Sequence, residues 1–165
     1  LLACMKEKPF ARITITDVQR ASTVSRSTFY RNFDCLEDAL ALLCDRGFQA
    51  VFSEYNALPP KQRGSLAKAV FQYWFRSSAV LEALVQIHRT DILFDSLRRS
   101  SGLIQALQPM ADDPARFDYF VAIITSSMIG VLTVWVEHGK TETEDQMVQK
   151  LTSAFIEMAI LELPG

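Results

Sequence analysis

Residues Ile13–Phe33, ITITDVQRASTVSRSTFYRNF, decide how the rest of the chain is read. Thr16 stands three residues ahead of Gln19, a capping-box spacing that predicts a helix over about Asp17 to Ala21 with Val18 buried. Ser25 then falls where an N-cap belongs. Phe29 and Phe33, four residues apart, give a second helix, Arg26 to about Asn32, its inward face. Ser22, Thr23 and Val24 connect the two. The outward side presents Arg26, Ser27, Thr28, Tyr30 and Arg31. Two short helices joined this closely, the second rich in hydroxyls and guanidiniums, make a helix–turn–helix, a shape that docks in the major groove of DNA.

Upstream, LLACMKEKPF reads as the end of a helix stopped by Pro9. With no initiator methionine, the expectation is that the natural N-terminus lies further upstream. Downstream, Asp34 with Glu37 repeats the capping-box spacing and opens a helix carrying Leu36, Leu40, Leu43, Phe48, Val51, Phe52 and Tyr55 to about Asn56. Asn56-Ala57-Leu58-Pro59-Pro60 is the clearest break in the chain. Ser65 restarts a helix, with a break expected near Ser77-Ser78 and another around Ser100-Ser101-Gly102. Asp112-Asp113-Pro114 has the acids and early proline of a helix start. Gly139-Lys140 ends that helix, and Thr143 with Gln146 caps the last one. The fold class expected is all-α with about nine helices: a three-helix head over residues 1–35 and a helical body over 36–165.

Composition agrees with a packed domain. Apolar residues make up 49% and charged residues 22% of the 165 positions, which excludes a disordered chain. Residues 1–33 hold Lys6, Lys8, Arg12, Arg20, Arg26 and Arg31 against Glu7 and Asp17, a balance of +4, so the net −2 leaves −6 for the rest. A basic head on an acidic body fits contact with phosphate at one end only. Cys4, Cys35 and Cys44 form no CxxC pair and no zinc spacing, which points to a reducing compartment, the cytoplasm.

Tyr119 to Val136 is 18 residues without a charge, long enough to be tested as a membrane span. Thr125, Ser126, Ser127, Gly130 and Thr133 interrupt it, so a buried helix in a helix–helix interface is the reading adopted, with no membrane partner.

The string ITITDV…TVSRSTFYRNF and the helix after it resemble the TetR/AcrR family of transcriptional regulators over about 40 residues. The run ending TVWVEHGK and the capped last helix are similar to that family's final two helices. By that resemblance Thr16 is the helix-two cap that bonds a phosphate, and Val18 and Phe33 are buried positions. Ser25 is the recognition-helix cap, Thr28 and Tyr30 face DNA, and Arg26 and Ser27 help set operator choice. Three positions depart from the family pattern. Ser22-Thr23 stand where Ala-Gly precedes Val24, Leu36 replaces a lysine that touches phosphate, and Ala39 replaces a leucine. A left-handed Thr23 would be strained, by about 1 kcal/mol or more.

The resemblance implies a homodimeric repressor whose palindromic operator is released by a small-molecule effector. Arg26 and Arg31 are placed to read guanine edges, Ser25 and Thr28 to hold phosphate, and Tyr30 to hold a phosphate or pack on a thymine methyl. It also implies an effector pocket among the middle helices, for which Tyr73, Trp74 and His88 are candidates, each combining an apolar body with a polar handle. Ser126, Gly130, Trp135, Phe155 and Met158 are the expected dimer residues. No metal or cofactor is expected. The chain has two histidines, neither in a nucleophile–base arrangement, and no P-loop or GxGxxG, so it is read as no enzyme. The alternative kept open by Thr23 and Leu36 is a regulator that binds a ligand or protein but no longer DNA, with an all-α enzyme behind it.

Overall fold

The computed structural model describes residues 1–110 and 113–161, and among these the chain forms ten α-helices and no strand. They are α1 (Leu2–Glu7), α2 (Ile15–Arg20), α3 (Arg26–Asn32), α4 (Leu36–Ala57), α5 (Leu66–Arg76), α6 (Ser78–Gln86), α7 (Thr90–Arg99), α8 (Ser101–Leu107), α9 (Pro114–Glu137) and α10 (Glu144–Leu161). The expected all-α class is what is found. The breaks at Pro59, Ser77 and Ser100 fall between helices as expected, and Asp112 lies outside the described residues.

Two helix starts differ from the sequence reading. Thr14, not Thr16, caps α2: its hydroxyl accepts the Asp17 N–H at 3.3 Å while the Asp17 carboxylate accepts the Thr14 N–H at 2.7 Å. Thr16 is therefore an exposed residue of the first turn. At α4 the cap is Cys35, not Asp34, and Asp38 rather than Glu37 closes the box, accepting the N–H groups of Asp34 at 2.8 Å and Cys35 at 3.0 Å. In both places an aspartate at the third helical position wins. Its charge meets the unpaired N–H groups and the positive end of the helix dipole. At α2 the neutral Gln19 cannot do this as well, while at α4 the charged Glu37 stands one position too early to close the box on Cys35.

Helix α4 is the spine. Leu40, Cys44, Phe48, Val51 and Phe52 recur at helical spacing and are all buried, so one continuous face is covered by α5, α6, α7 and α8. The same core takes in Phe10, Ile13 and Val18 from the head. Phe29 of α3 is buried at 4% exposure but stands outside that main core, packed edge-on to Tyr30 and beside Phe33. Helix α3 thus depends on a small satellite cluster and on α2.

Helix α9 is buried on one face only. Val121, Thr125, Met128, Ile129, Leu132 and Trp135 point into the protomer, while Tyr119, Ile123 and Val134 are 75%, 53% and 46% exposed. By length and composition it is the one helix among the described residues apolar enough to cross a membrane, with a third of its apolar window buried. It ends at Gly139, whose positive φ of 76° glycine adopts without a Cβ penalty, followed by Lys140 at 62°. The Lys140 ammonium pairs with Glu82 of α6 at 2.5 Å. Thr143 and Gln146 cap α10 reciprocally, at 2.8 and 3.4 Å.

Candidate nucleic-acid interface

The turn between α2 and α3 is built by a serine rather than a glycine. Ala21 is right-handed (φ −84°), and no residue from Ser22 to Val24 has a positive φ. The strain expected at Thr23 is absent. The Ser22 hydroxyl donates back to the Val18 carbonyl at 2.7 Å and accepts the Val24 N–H at 3.3 Å, which turns the chain without a left-handed residue.

Ser25 then caps α3 as expected, its oxygen 3.1 Å from the Thr28 N–H. Its hydroxyl also lies 2.9 Å from those of Ser27 and Thr28, so three hydroxyls gather at one helix end. Burial of Phe29 fixes which side of α3 faces out. Arg26, Ser27, Tyr30 and Arg31 are exposed, and Thr28 is half-buried. The Arg26 guanidinium lies 5.7 Å from the Tyr30 ring centre, a cation–π pair one turn apart.

Among the described residues Arg20, Arg26 and Arg31 make no ion pair. Arg20, in the last turn of α2, was not singled out from the sequence; its exposure beside the arginines of α3 adds it to the candidate face. Lys8 is spent differently: its ammonium is 2.6 Å from Asp17. That hydrogen bond first, then those from Thr14, hold the Asp17 carboxyl well below the usual carboxylate range. Asp17 is thus paired inside the head rather than with the arginines of the outward face.

The candidate effector residues do not come together as a lining. Trp74 is 1% exposed and packs on Phe48 with ring centres 5.2 Å apart, its N–H lacking a partner among the described residues. Tyr73 is half-buried and turned onto Gly47. His88 is exposed, at a positive φ of 57° just after α6, a structural position rather than a lining one.

Of the expected dimer residues, Ser126 and Gly130 are exposed on α9, and a Cβ built on Gly130 meets nothing within 4 Å. Trp135 is corrected: it is a core residue, 4% exposed, stacked on Phe75 at 4.0 Å with its indole N–H donating to the Glu142 carbonyl at 3.1 Å. Phe155 is half-buried on α10, and the Met158 side chain lies outside the described residues. Gly130, Trp135 and Phe155 all border an apolar groove of about 400 Å³ between α9 and α10.

Among the described residues no group of His, Cys, Asp and Glu has the arrangement of a metal site. Comparison with protein-family models, curated proteins and solved structures gave no match to this chain.

Proposed function

We propose that this protein is a DNA-binding transcriptional regulator of the TetR/AcrR type, acting in the cytoplasm as a homodimer whose operator binding responds to a small molecule. One observation carries the reading. The outward face of α3 holds two arginines, a tyrosine and a capped cluster of hydroxyls, all anchored by a buried phenylalanine, and among the described residues no ion pair neutralises the cations.

On a duplex, Arg31 and Arg26 reach guanine O6 and N7, for which the planar guanidinium fork is suited. Tyr30 stiffens Arg26 by lying beneath it and contacts a phosphate or thymine methyl. Ser25, Ser27 and Thr28 lie at the N-terminal end of α3, where hydroxyls and N–H groups suit phosphate. Thr16, released from capping by Thr14, offers an exposed hydroxyl on α2, and Arg20 adds charge.

A single seven-residue helix covers too few base pairs for specificity, so two copies are needed, about 34–36 Å apart on a palindromic site. The exposed stripe Tyr119, Ile123, Ser126, Gly130 and Val134 on α9 supports a two-fold contact between copies, since large apolar side chains in a row favour burial. The mobility of DNA fragments from the chain's own upstream region tests the reading. A shift weakened by salt and lost with Tyr30→Ala is expected; no shift at low salt with any fragment overturns it.

A further inference from the structure

A cleft of about 560 Å³ opens between α4 and the α7–α8 corner, within the size range of small-molecule sites. Its walls are polar. Asp45 and Arg99 sit at one end, Gln49 and Gln105 line the middle, and Asn56 and Gly102 close the other end. Asp45 and Asn56 are three turns apart on α4, so the cleft runs about 16 Å along that helix. None of Tyr73, Trp74 and His88 lines it.

Its hydrogen-bonding capacity is only half used. Ser96, 2% exposed, donates to one Asp45 carboxylate oxygen at 2.5 Å, and the other oxygen has no donor among the described residues. Arg99 approaches Asp45 only to 3.6 Å, beyond hydrogen-bond length, and makes no hydrogen bond among the described residues. Its five donors are therefore open to an acceptor. The two charges lie side by side without satisfying each other. At the far end the Asn56 amide N–H donates to the Gly102 carbonyl at 2.9 Å, while its carbonyl oxygen is shut off from solvent and has no donor among the described residues. Gly102 presses α8 against Phe52 so closely that a Cβ there would lie 2.3 Å from the Phe52 Cβ, which fixes the width at that end.

We propose that this cleft binds a small zwitterion of the α-amino-acid class. Its carboxylate pairs with Arg99, its ammonium donates to the free oxygen of Asp45, and its side chain runs toward Gln49, Gln105 and Asn56. An apolar effector is disfavoured, because it offers the polar walls and the open donors of Arg99 no partner. Because α4 leads directly out of the head, a ligand that ties α4 to α7 and α8 biases the angle at which α3 is presented. This regulatory consequence rests on the regulator reading above; the binding site itself does not.

The probes are the proteinogenic L-amino acids, each with its N-acetyl and carboxamide derivatives. They are titrated at millimolar concentration into the full chain and followed by the backbone amide of Gly102 and the side-chain amide of Asn56 in NMR spectra. At least one free amino acid is expected to shift both signals, with neither capped derivative doing so. Arg99→Gln and Asp45→Asn, at largely exposed side chains whose folding circular dichroism verifies, should each weaken that binding about tenfold or more. No shift with any free amino acid, or a shift that persists undiminished in Arg99→Gln, overturns the site. DNA mobility measured on the same samples separates the two claims. Ligand binding without any DNA shift sinks the regulator and keeps the site, whereas a DNA shift without ligand binding does the reverse.

Discussion

Trp135 distinguishes the architecture most sharply, because the sequence offered it as a contact between copies and the structure buries it within one. It shares a face of α9 with Met128 and Leu132, opposite the exposed stripe of Ile123 and Val134. Truncating a buried tryptophan to alanine costs about 3–5 kcal/mol. Within that figure, the ring pair with Phe75 contributes about 0.5–1.5 kcal/mol beyond the area it buries. The hydrogen bond to the Glu142 carbonyl contributes about 0.5–1.5 kcal/mol more. Trp135→Phe keeps a ring against Phe75 but removes the N–H, so a loss of about 1–2 kcal/mol is expected, part of it from the smaller volume. Both variants should be measured by urea unfolding followed by circular dichroism, alongside sedimentation over a dilution series. Stability should fall in the order wild type, Phe, Ala, with the self-association constant of the folded protein little changed. If Trp135→Ala loses less than about 1 kcal/mol while weakening self-association strongly, the residue belongs to the interface and the packing assigned to α9 is wrong.

Gly102→Ala should destabilise by about 1–2 kcal/mol in thermal unfolding. The clash with the Phe52 Cβ, of the overpacking kind, outweighs the gain of about 1 kcal/mol that alanine normally brings to a helix. Asp38→Ala should cost about 1 kcal/mol, the usual loss for a helix cap, since two N–H groups at the start of α4 lose their acceptor. The hydrogen bonds from the Cys35 and Asp34 N–H groups hold the Asp38 carboxyl below its ordinary value of 3.8, so its contribution is full above that pH. It is lost as the pH falls through the lower folded value, and unfolding followed from neutral pH into acid should show a loss that the alanine variant lacks. Ile123→Glu on the outer stripe of α9 should leave monomer stability within about 0.5 kcal/mol and abolish self-association in sedimentation; association retained would remove α9 from the interface.

The helix inventory was legible because its punctuation is local. Pro9, Pro59, Ser77 and Gly139 each act within a turn of where they stand, and Ser25, Ser65 and Thr143 cap the helices they were expected to cap. The misplaced start at Thr16 came from matching the spacing of a box without weighing charge, since Gln19 is neutral and Asp17 is not. At Asp34 both Glu37 and Asp38 are charged, and spacing alone does not choose between them. Thr14 with Asp17 was visible in the sequence on the charge criterion, whereas Cys35 with Asp38 was not. Burial of an aromatic was also legible, but its neighbour was not. Periodicity puts Trp135 on an apolar face without saying whether Phe75 of the same chain or a second chain covers it. The uncharged run of α9 hid a face that is apolar yet exposed, since composition cannot distinguish a helix covered all round from one half covered. The cleft was not legible at all. Asp45 and Arg99 read as ordinary surface charges until α4 and α7 are laid side by side.

The central claim concerns α3, and titration of a salt-sensitive DNA complex tests it most directly. Fragments from the chain's upstream region should be shifted by the wild type, with affinity falling as salt rises. Tyr30→Ala combined with Arg31→Ala should remove the shift, while the circular dichroism spectrum stays that of the parent, because both side chains are exposed and Phe29 remains in place. Affinity untouched by that double substitution would contradict the account, placing any DNA contact somewhere other than the face beginning at Ser25.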